Sequence, residues 1–266
     1  MSETTASRSR TGPAPDPEMA ARIETFRRDG FVVVPGLFGA EEMQRISAWT
    51  DELQGLPEVP GRYMMYFEPS LLRPAERVLQ RMENFCPFHA GFAALCGGDK
   101  LCGLASRLFG EPAVLFKDKI NFKLPGGDGF KPHQDQQAGW STYADLFITA
   151  MVSIDPTTAE NGCLELCAGH HTRGLLGDEW TPLTDDDMRR LGARAVPTGA
   201  GDAVFFDSYT PHASGPNLTR ERRRVLYITY NRRSAGDHRA RYYADKRKSF
   251  PPDIERDPTR TYTFRV

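Results

Sequence analysis

Two short motifs hold side chains that suit a metal ion. The first lies at residues 131–135 (KPHQD) and the second at residues 209–212 (YTPH). Residues two apart on an extended segment point to the same side, so His133 and Asp135 can bind one ion together. His212 must then arrive from a later strand. Two imidazoles and one carboxylate form the three-ligand face of non-haem Fe(II), which leaves open coordination positions.

An arginine follows the second motif. Arg223 lies eleven residues after His212 and precedes an apolar segment, residues 225–230, that predicts a strand. Its guanidinium can reach back towards the metal motif and bind a carboxylate through two parallel charge-assisted hydrogen bonds. Strand alternation places Arg222 and Arg224 on the opposite face. A carboxylate-containing co-substrate next to the metal is therefore expected.

The motifs belong to an ordered set that resembles a known family. The set consists of His133 and Asp135, residues 161–164 (NGCL), 168–171 (AGHH) and 199–202 (GAGD), then His212 and Arg223. From about residue 26 to about residue 233 it resembles the iron(II)/2-oxoglutarate dioxygenases of the phytanoyl-CoA dioxygenase superfamily. Residues 120–123 (INFK) and 230–231 (YN) are similar to its branch of ectoine and aminoethylphosphonate hydroxylases.

The resemblance implies both a fold and a reaction. The fold would be mainly β with peripheral helices: a double-stranded β-helix, or jelly-roll, cupin-like barrel. In the reaction, 2-oxoglutarate and dioxygen are consumed, succinate and CO2 are released, and a substrate C–H bond is oxidised. Because halogenating relatives lack the carboxylate ligand, Asp135 favours hydroxylation or desaturation.

The resemblance also implies roles for individual residues. The ligands of a catalytic Fe(II) would be His133, Asp135 and His212. The family's eleven-residue offset selects Arg223 to bind the far carboxylate of 2-oxoglutarate, with Asn121 and Ser214 assisting.

Hydrophobic spacing predicts the elements that position these residues. Helices are expected at residues 17–29 and 40–53, and two more within 79–109. Strands are expected at residues 31–34, 114–124, 146–154, 162–166 and 201–207. Residues 55–74 fit a packed loop, an edge strand or a lid over the substrate.

The strand at 114–124 predicts an anionic substrate. Lys117, Lys119 and Lys123 share the strand face of Asn121, which in the resembled family points into the cavity. A lysine inside a cavity requires an anion, since an unpaired buried ammonium is costly. A phosphonate or carboxylate group is therefore expected there.

Aromatic residues predict the other end of the substrate. Tyr63, Tyr66, Phe67 and Trp140 could surround an ammonium or trimethylammonium group, although the same rings could simply pack a loop. Gln137, beside the metal motif, is a further candidate. Together with the resemblance, these residues predict a small zwitterion, in particular an aminoalkylphosphonate with or without N-methyl groups, oxidised in phosphonate catabolism or natural-product biosynthesis.

Three other interpretations remain open from the residues. An ectoine-like or amino-acid-derived metabolite could replace the phosphonate. A zinc hydrolase could use the same three ligands with a water, but it would not need the carboxylate clamp at Arg223. A cupin-like module could bind a ligand without catalysis, which the intact ligand set argues against.

Composition narrows the partners and the compartment. With 34 basic and 35 acidic residues the chain has no net attraction for nucleic acid or an anionic membrane, although residues 239–248 are locally basic. No apolar run approaches the roughly 18 residues of a membrane span. The five cysteines form an odd set without zinc spacing, which indicates a reducing cytoplasm. Residues 1–17 are expected to be a disordered tail and 18–266 a single dioxygenase domain, of unknown oligomeric state.

Overall fold

The computed structural model describes residues 16–263. The tail expected at residues 1–17 lies outside this range, apart from the two residues that begin the first helix. The Asp16 side chain accepts a hydrogen bond from the Glu18 amide at 3.2 Å, and Pro17 takes the first helical position. The helix ends where Gly30 adopts a left-handed conformation with φ +83°. Its predicted bounds are confirmed.

Eleven strands and six α-helices make up the described part of the chain. The strands are β1 (Phe31–Val34), β2 (Met64–Pro69), β3 (Arg77–Glu83), β4 (Ala113–Asn121), β5 (Phe130–His133), β6 (Phe147–Ser153), β7 (Leu164–Leu166), β8 (Arg194–Val196), β9 (Ala203–Asp207), β10 (His212–Ser214) and β11 (Val225–Arg232). The helices are α1 (Pro17–Asp29), α2 (Ala40–Gln54), α3 (Ala90–Gly97), α4 (Leu104–Phe109), α5 (Asp185–Arg190) and α6 (Arg239–Ser249).

Short helical turns connect several of these elements. A π-helical turn at Asp99–Gly103 joins α3 to α4. The 3-10 turns are Cys86–Phe88, Asp135–Ala138, Trp140–Thr142, His171–Arg173, Arg233–Ala235 and Asp253–Glu255.

The strands form two antiparallel sheets. The larger has the order β1-β9-β6-β11-β4-β3-β2 and the smaller β5-β10-β7-β8. Apolar side chains from both sheets pack together between them, among them Leu164 and Leu166 from the smaller sheet and Met151, Val204 and Phe206 from the larger. This arrangement confirms the mainly β jelly-roll with peripheral helices. Within residues 16–263 the ladders remain two separate sheets and do not close into a continuous barrel.

Helices cover the outer face of the larger sheet. Phe26 of α1, Ile46 of α2 and Phe92 of α3 are buried in one core with Ile120 of β4 and Phe205 of β9. The inner face of the same sheet is thereby left for the cavity. No helix within residues 16–263 combines the length and the apolarity needed to cross a bilayer.

The region between residues 55 and 109 corrects two expectations. Residues 79–83, within the range expected to be helical, belong instead to β3, because this segment pairs with β2 in a register that places Met82 opposite Met65. Residues 64–69 form β2, which lies at the edge of the larger sheet. Of the alternatives for residues 55–74, the edge strand is therefore confirmed, and the lid over the substrate is not. The two expected helices do follow, as α3 and α4, and the π-helical turn at Asp99–Gly103 separates them.

Helix α6 was not predicted from the sequence. It buries Tyr242 and Tyr243 against the sheet, and the Tyr243 hydroxyl donates to the main-chain carbonyl of Asp118 at 3.0 Å. Arg239 pairs with the buried carboxylate of Asp118 at 2.5 Å. The charge of Arg239 is therefore neutralised inside the protein.

Candidate metal centre and substrate cavity

The three predicted metal ligands lie together on two neighbouring strands. His133 ends β5, Asp135 begins the turn that follows, and His212 begins β10. Because β5 and β10 pair antiparallel with His133 opposite His212, the two imidazole centroids are 4.2 Å apart. The extended backbone of Gln134 returns Asp135 to the same side.

The ligand atoms face one small space. The donor atoms of His133, Asp135 and His212 all lie within 4.8 Å of one another. Oδ1 of Asp135 is 3.8 Å from Nε2 of His133 and 4.0 Å from Nε2 of His212. Donors this close together can converge on one ion after small rotations bring the three side chains to coordination distance.

Backbone carbonyls fix the tautomers of both histidines. Nδ1 of His133 lies 2.6 Å from the carbonyl of Lys131, and Nδ1 of His212 lies 3.0 Å from the carbonyl of Thr210. Since a carbonyl can only accept, both Nδ1 atoms carry the proton. The Nε2 lone pairs are left facing Asp135, which is the arrangement that metal-binding histidines need.

Two threonines of the larger sheet form hydrogen bonds that hold the carboxylate of Asp135. The Thr149 hydroxyl donates to Oδ2 of Asp135 at 3.1 Å and lies 2.9 Å from the Thr229 hydroxyl. These threonines are paired on the adjacent strands β6 and β11. Sequence reasoning missed both. A threonine within an otherwise apolar strand was the available signal, because a buried hydroxyl requires a partner.

The charge states suit a cation. Burial lowers the pKa of His133 to about 3, with a further contribution from His212, and burial also lowers the pKa of His212. Burial alone would raise the pKa of Asp135, but His212 and His133 outweigh it and hold that pKa below its ordinary value. At neutral pH the site therefore offers two neutral imidazoles and one charged carboxylate, as metal binding requires.

Arg223 is a buried cation that has no carboxylate partner in the described part of the chain. Arg223 is only 1% exposed, and its Nε and Nη1 atoms have no hydrogen-bond partner among residues 16–263. Burial lowers the pKa of Arg223, opposed by its neighbour Tyr227. Arg223 does not itself line the cavity, whereas Tyr227 does. A buried guanidinium in this state is costly unless an anion reaches it, so the site fits a carboxylate ligand.

The neighbouring arginines are bound elsewhere. Arg224 binds Asp155 with two hydrogen bonds of 2.8 Å and Asp51 at 2.7 Å. Arg222 is half exposed and reaches the same Asp51 at 2.8 Å. These contacts agree with the choice of Arg223 as the carboxylate-binding residue.

Asn121 and Ser214 both line the cavity beside the three ligands. Oδ1 of Asn121 is buried without a partner in the described part of the chain. Oγ of Ser214 accepts a hydrogen bond from Lys123 at 2.8 Å. Both positions are compatible with a second group of contacts to a co-substrate.

Lys117, Lys119 and Trp140 also line this cavity, as expected. The inner cleft at the metal ligands joins an outer cavity of about 580 Å³, whose wall includes β3 and α6. The Lys119 ammonium lies 4.6 Å from the ring centroid of Tyr227, and burial, assisted by Lys117, lowers its pKa to about 7. Two lysines therefore face the space next to the metal ligands.

Lys123 is a correction. Its ammonium donates to the Ser214 hydroxyl and to the carbonyl of Gly215, and it is not among the residues that line the cavity. Strand β4 ends at Asn121, so the alternation that placed Lys123 beside Lys117 no longer applies there.

Tyr63, Tyr66 and Gln137 are corrections of the same kind. The Tyr63 hydroxyl donates to the carbonyl of Pro57 at 2.6 Å, within the core beneath the helices. The Tyr66 hydroxyl donates to the carbonyl of Phe250 at 2.9 Å. Gln137 is fully buried and donates to the carbonyl of Thr181 at 2.6 Å. All three have structural partners, and none lines the cavity.

The expected aromatic receptor for an ammonium group is therefore incomplete. The guanidinium of Arg77 lies 3.6 Å from the ring centroid of Phe67, so a cation already occupies that ring. Trp140 does line the cavity, but the Lys117 ammonium lies 5.4 Å from its centroid. A second cation would be repelled from that face, so Trp140 is better placed to orient Lys117.

Comparisons with known proteins agree with this geometry. The family model for phytanoyl-CoA dioxygenase (PhyH) matches residues 26–225. A 2-aminoethylphosphonate dioxygenase of the uncultured bacterium HF130_AEPn_1 is 42% identical over 239 residues, covering 90% of this chain and 91% of the relative. A methylphosphonate hydroxylase of Gimesia maris is 40% identical over 233 residues, covering 86% and 87%.

A solved structure shows the same fold. The crystal structure of EctD from S. alaskensis with 2-oxoglutarate and 5-hydroxyectoine aligns with a TM-score of 0.69 and 20% identity, over 86% of this chain and 80% of that one. Together with the family match, these similarities confirm the expected class: the chain belongs to the phytanoyl-CoA dioxygenase family and is an iron(II)- and 2-oxoglutarate-dependent dioxygenase.

Proposed function

We propose that this dioxygenase oxidises a C–H bond of a small aminoalkylphosphonate, with or without N-methyl groups, at a carbon near the phosphorus. The observation that carries the proposal is the placement of Lys117 and Lys119, which line the same cavity as the three metal ligands. Cations next to the reaction site suit a strongly anionic group. The names of the relatives, 2-aminoethylphosphonate dioxygenase and methylphosphonate hydroxylase, support a phosphonate.

In this proposal the inner cavity binds the iron and both organic molecules. His133, Asp135 and His212 hold the iron. Bound iron couples the oxidative decarboxylation of 2-oxoglutarate by dioxygen to oxidation of the substrate, with succinate and CO2 as products.

The remaining residues position the two organic molecules. Arg223 binds the far carboxylate of 2-oxoglutarate with Asn121 and Ser214 nearby, while Lys117 and Lys119 bind the phosphonate. Apolar walls such as Leu164 and Phe206 exclude water from the reacting carbon.

The amino end of the substrate would extend into the outer cavity. Its wall includes the carboxylates of Glu179 and Asp245, which can attract an ammonium group. With about 580 Å³ available, N-methyl groups can be accommodated there. The outer cavity also contains Arg81 and Lys246, so the amino end of a zwitterion is expected on the acidic side of this cavity, at Glu179 and Asp245.

The cellular setting belongs to the same proposal. All five cysteines are free thiols, which is compatible with a reducing cytoplasm and with phosphonate catabolism or biosynthesis there.

A substrate panel tests the proposal. The iron-loaded enzyme is supplied with 2-oxoglutarate, dioxygen and one compound each of aminoalkylphosphonate, N-trimethylated aminoalkylphosphonate, methylphosphonate, ectoine, free amino acid and fatty acyl-CoA. We expect substrate-dependent succinate release with at least one aminoalkylphosphonate, together with a product that retains the carbon–phosphorus bond. Strong coupling with ectoine, an amino acid or an acyl-CoA, and none with any aminoalkylphosphonate, would refute it.

A further inference from the structure

Glu83 is the centre of a buried group of cations in the outer cavity. It ends β3 with no exposed surface. Its Oε1 accepts hydrogen bonds from Nε of Arg81 at 3.0 Å and Nζ of Lys246 at 2.9 Å, and its Oε2 accepts from Lys246 at 2.6 Å. The Lys117 ammonium lies 3.9 Å from the same carboxylate. Three cations from three elements, β3, β4 and α6, thus surround one anion.

The group has two more positive charges than negative ones. The side chains of Arg81, Lys117 and Lys246 are only 3%, 12% and 11% exposed, so water screens this excess poorly. All four residues line the outer cavity, whose wall also includes His133 and Asp135.

The excess charge affects the protonation of the group. Burial lowers the pKa of Lys246 well below its ordinary value, Glu83 opposes this, and Lys117 and Arg81 lower it further. Burial alone would raise the pKa of Glu83, yet the same three cations hold it well below its ordinary value. A further anion in the cavity would stabilise all three cations.

We propose that Arg81, Lys117 and Lys246, held together by Glu83, form a receptor that selects a dianionic phosphonate over singly charged carboxylates and sulfonates. This inference rests on the proposed function. It adds Arg81 of β3 and Lys246 of α6 to the lysines near the metal ligands that bind the phosphonate. Glu83 acts as a positioning residue, because its contacts are to the cations and not to the substrate.

Charge and shape both favour a phosphonate in this receptor. A fully ionised phosphonate carries two negative charges, which equal the excess, whereas a carboxylate or sulfonate carries one. Its three oxygens diverge, so cations arriving from three directions can each meet one, which the two coplanar oxygens of a carboxylate do not allow. A sulfonate has the same shape, so charge alone separates it from a phosphonate. A guanidinium and two ammonium groups supply enough donors for this arrangement.

Helix α6 becomes part of the binding site in this account. Lys246 is the α6 residue that bonds Glu83, and the ring centroid of the buried Tyr242 on the same helix lies 5.8 Å from the Lys117 ammonium. A bound phosphonate would relieve the repulsion between Lys246 and the two cations of the sheet. Substrate binding should therefore strengthen the docking of α6.

The test compares two methionine variants on the same helix. Lys246→Met removes the ammonium but keeps an aliphatic stem, and Lys248→Met makes the same change at an exposed position. Kinetics with 2-aminoethylphosphonate give the KM for substrate and for 2-oxoglutarate. Calorimetry without dioxygen compares the binding of 2-aminoethylphosphonate with that of its sulfonate and carboxylate analogues.

We expect Lys246→Met to weaken phosphonate binding and to reduce the ratio of phosphonate to sulfonate affinity by about tenfold or more. The KM for 2-oxoglutarate should be unchanged, and Lys248→Met should resemble the wild type.

A folded Lys246→Met enzyme with the phosphonate preference of Lys248→Met would overturn the inference. If that variant does not fold, hydrogen exchange of the wild type decides. Amides of α6 should exchange more slowly with phosphonate than with sulfonate at equal saturation, and equal rates would overturn the inference as well. A wild-type enzyme that binds phosphonate preferentially but oxidises none would instead contradict the proposed function alone.

Discussion

Arg223 and Arg224 are adjacent in the chain, yet their guanidinium groups have opposite environments. Arg224 is fully bonded to Asp155 and Asp51, whereas Arg223 is buried with two nitrogens that have no partner in the described structure. Both residues lie just before β11, and their different environments show that the two side chains point in different directions. One arginine therefore stabilises the fold, and the other has the unpartnered donors that the proposed contact to 2-oxoglutarate requires.

The first prediction concerns Arg223→Lys. Lysine keeps the charge but cannot make two parallel hydrogen bonds to one carboxylate. We expect the KM for 2-oxoglutarate to rise by roughly 10- to 100-fold, and by more than the KM for the phosphonate. Steady-state kinetics measure both. Arg222→Lys, a control at a half-exposed ion pair, should change neither by more than about twofold. The reverse pattern would show that Arg222 is the clamp.

The second prediction concerns the support of the metal ligand Asp135. Thr149→Val removes the hydroxyl that donates to Oδ2 while keeping the shape of the side chain. Such outer contacts typically contribute about 10- to 100-fold to metal affinity. Calorimetric titration with Fe(II) should show a loss of that size in Thr149→Val and near-normal affinity in Thr149→Ser. Equal Fe(II) affinities in the two variants would show that the Thr149 hydroxyl does not contribute to metal binding.

The third prediction concerns stability against pH. Burial raises the pKa of Asp207 from 3.8 to about 7, although the amide of Tyr209 and the charge of Arg232 oppose this. Between these values the folded state keeps a proton that the unfolded state has lost, so the free energy of unfolding falls as pH rises. The full loss is about 4 kcal/mol, reached above pH 7.

Asp207→Asn removes the charge and keeps an acceptor for the Tyr209 amide. Its unfolding free energy should match that of the wild type near pH 4 and exceed it near pH 8 in denaturant titrations. The exposed Asp185→Asn is the matched control and should follow the wild-type curve. An Asp207→Asn curve parallel to that of the wild type would show that Asp207 carries no buried charge.

The metal motif and its strand partners could be predicted because short-range alternation was sufficient. His133 and Asp135 lie two residues apart on an extended segment, and Lys117, Lys119 and Asn121 share one face of β4. The same rule failed for Lys123, because β4 ends before it and Lys123 turns to Ser214.

Partners that are distant in the sequence were not predictable in this way. Glu83 and Lys246 are 163 residues apart, and neither segment shows an apolar stripe that would identify its element. Helix α6 is held by ion pairs and by two adjacent buried tyrosines, Tyr242 and Tyr243, so its sequence shows local basic charge but no apolar stripe of helical spacing. Tyr63 and Tyr66 have main-chain carbonyl partners that only the folded chain reveals.

The most direct test of the metal and co-substrate assignment is the visible absorption of the protein mixed anaerobically with Fe(II) and 2-oxoglutarate. Wild-type protein should develop the charge-transfer band of an iron–2-oxoglutarate complex, and Asp135→Ala should not, since one of three protein ligands is missing. A colourless wild-type sample at full protein concentration, or an equal band in Asp135→Ala, would contradict the assignment of His133, Asp135 and His212 as the iron site.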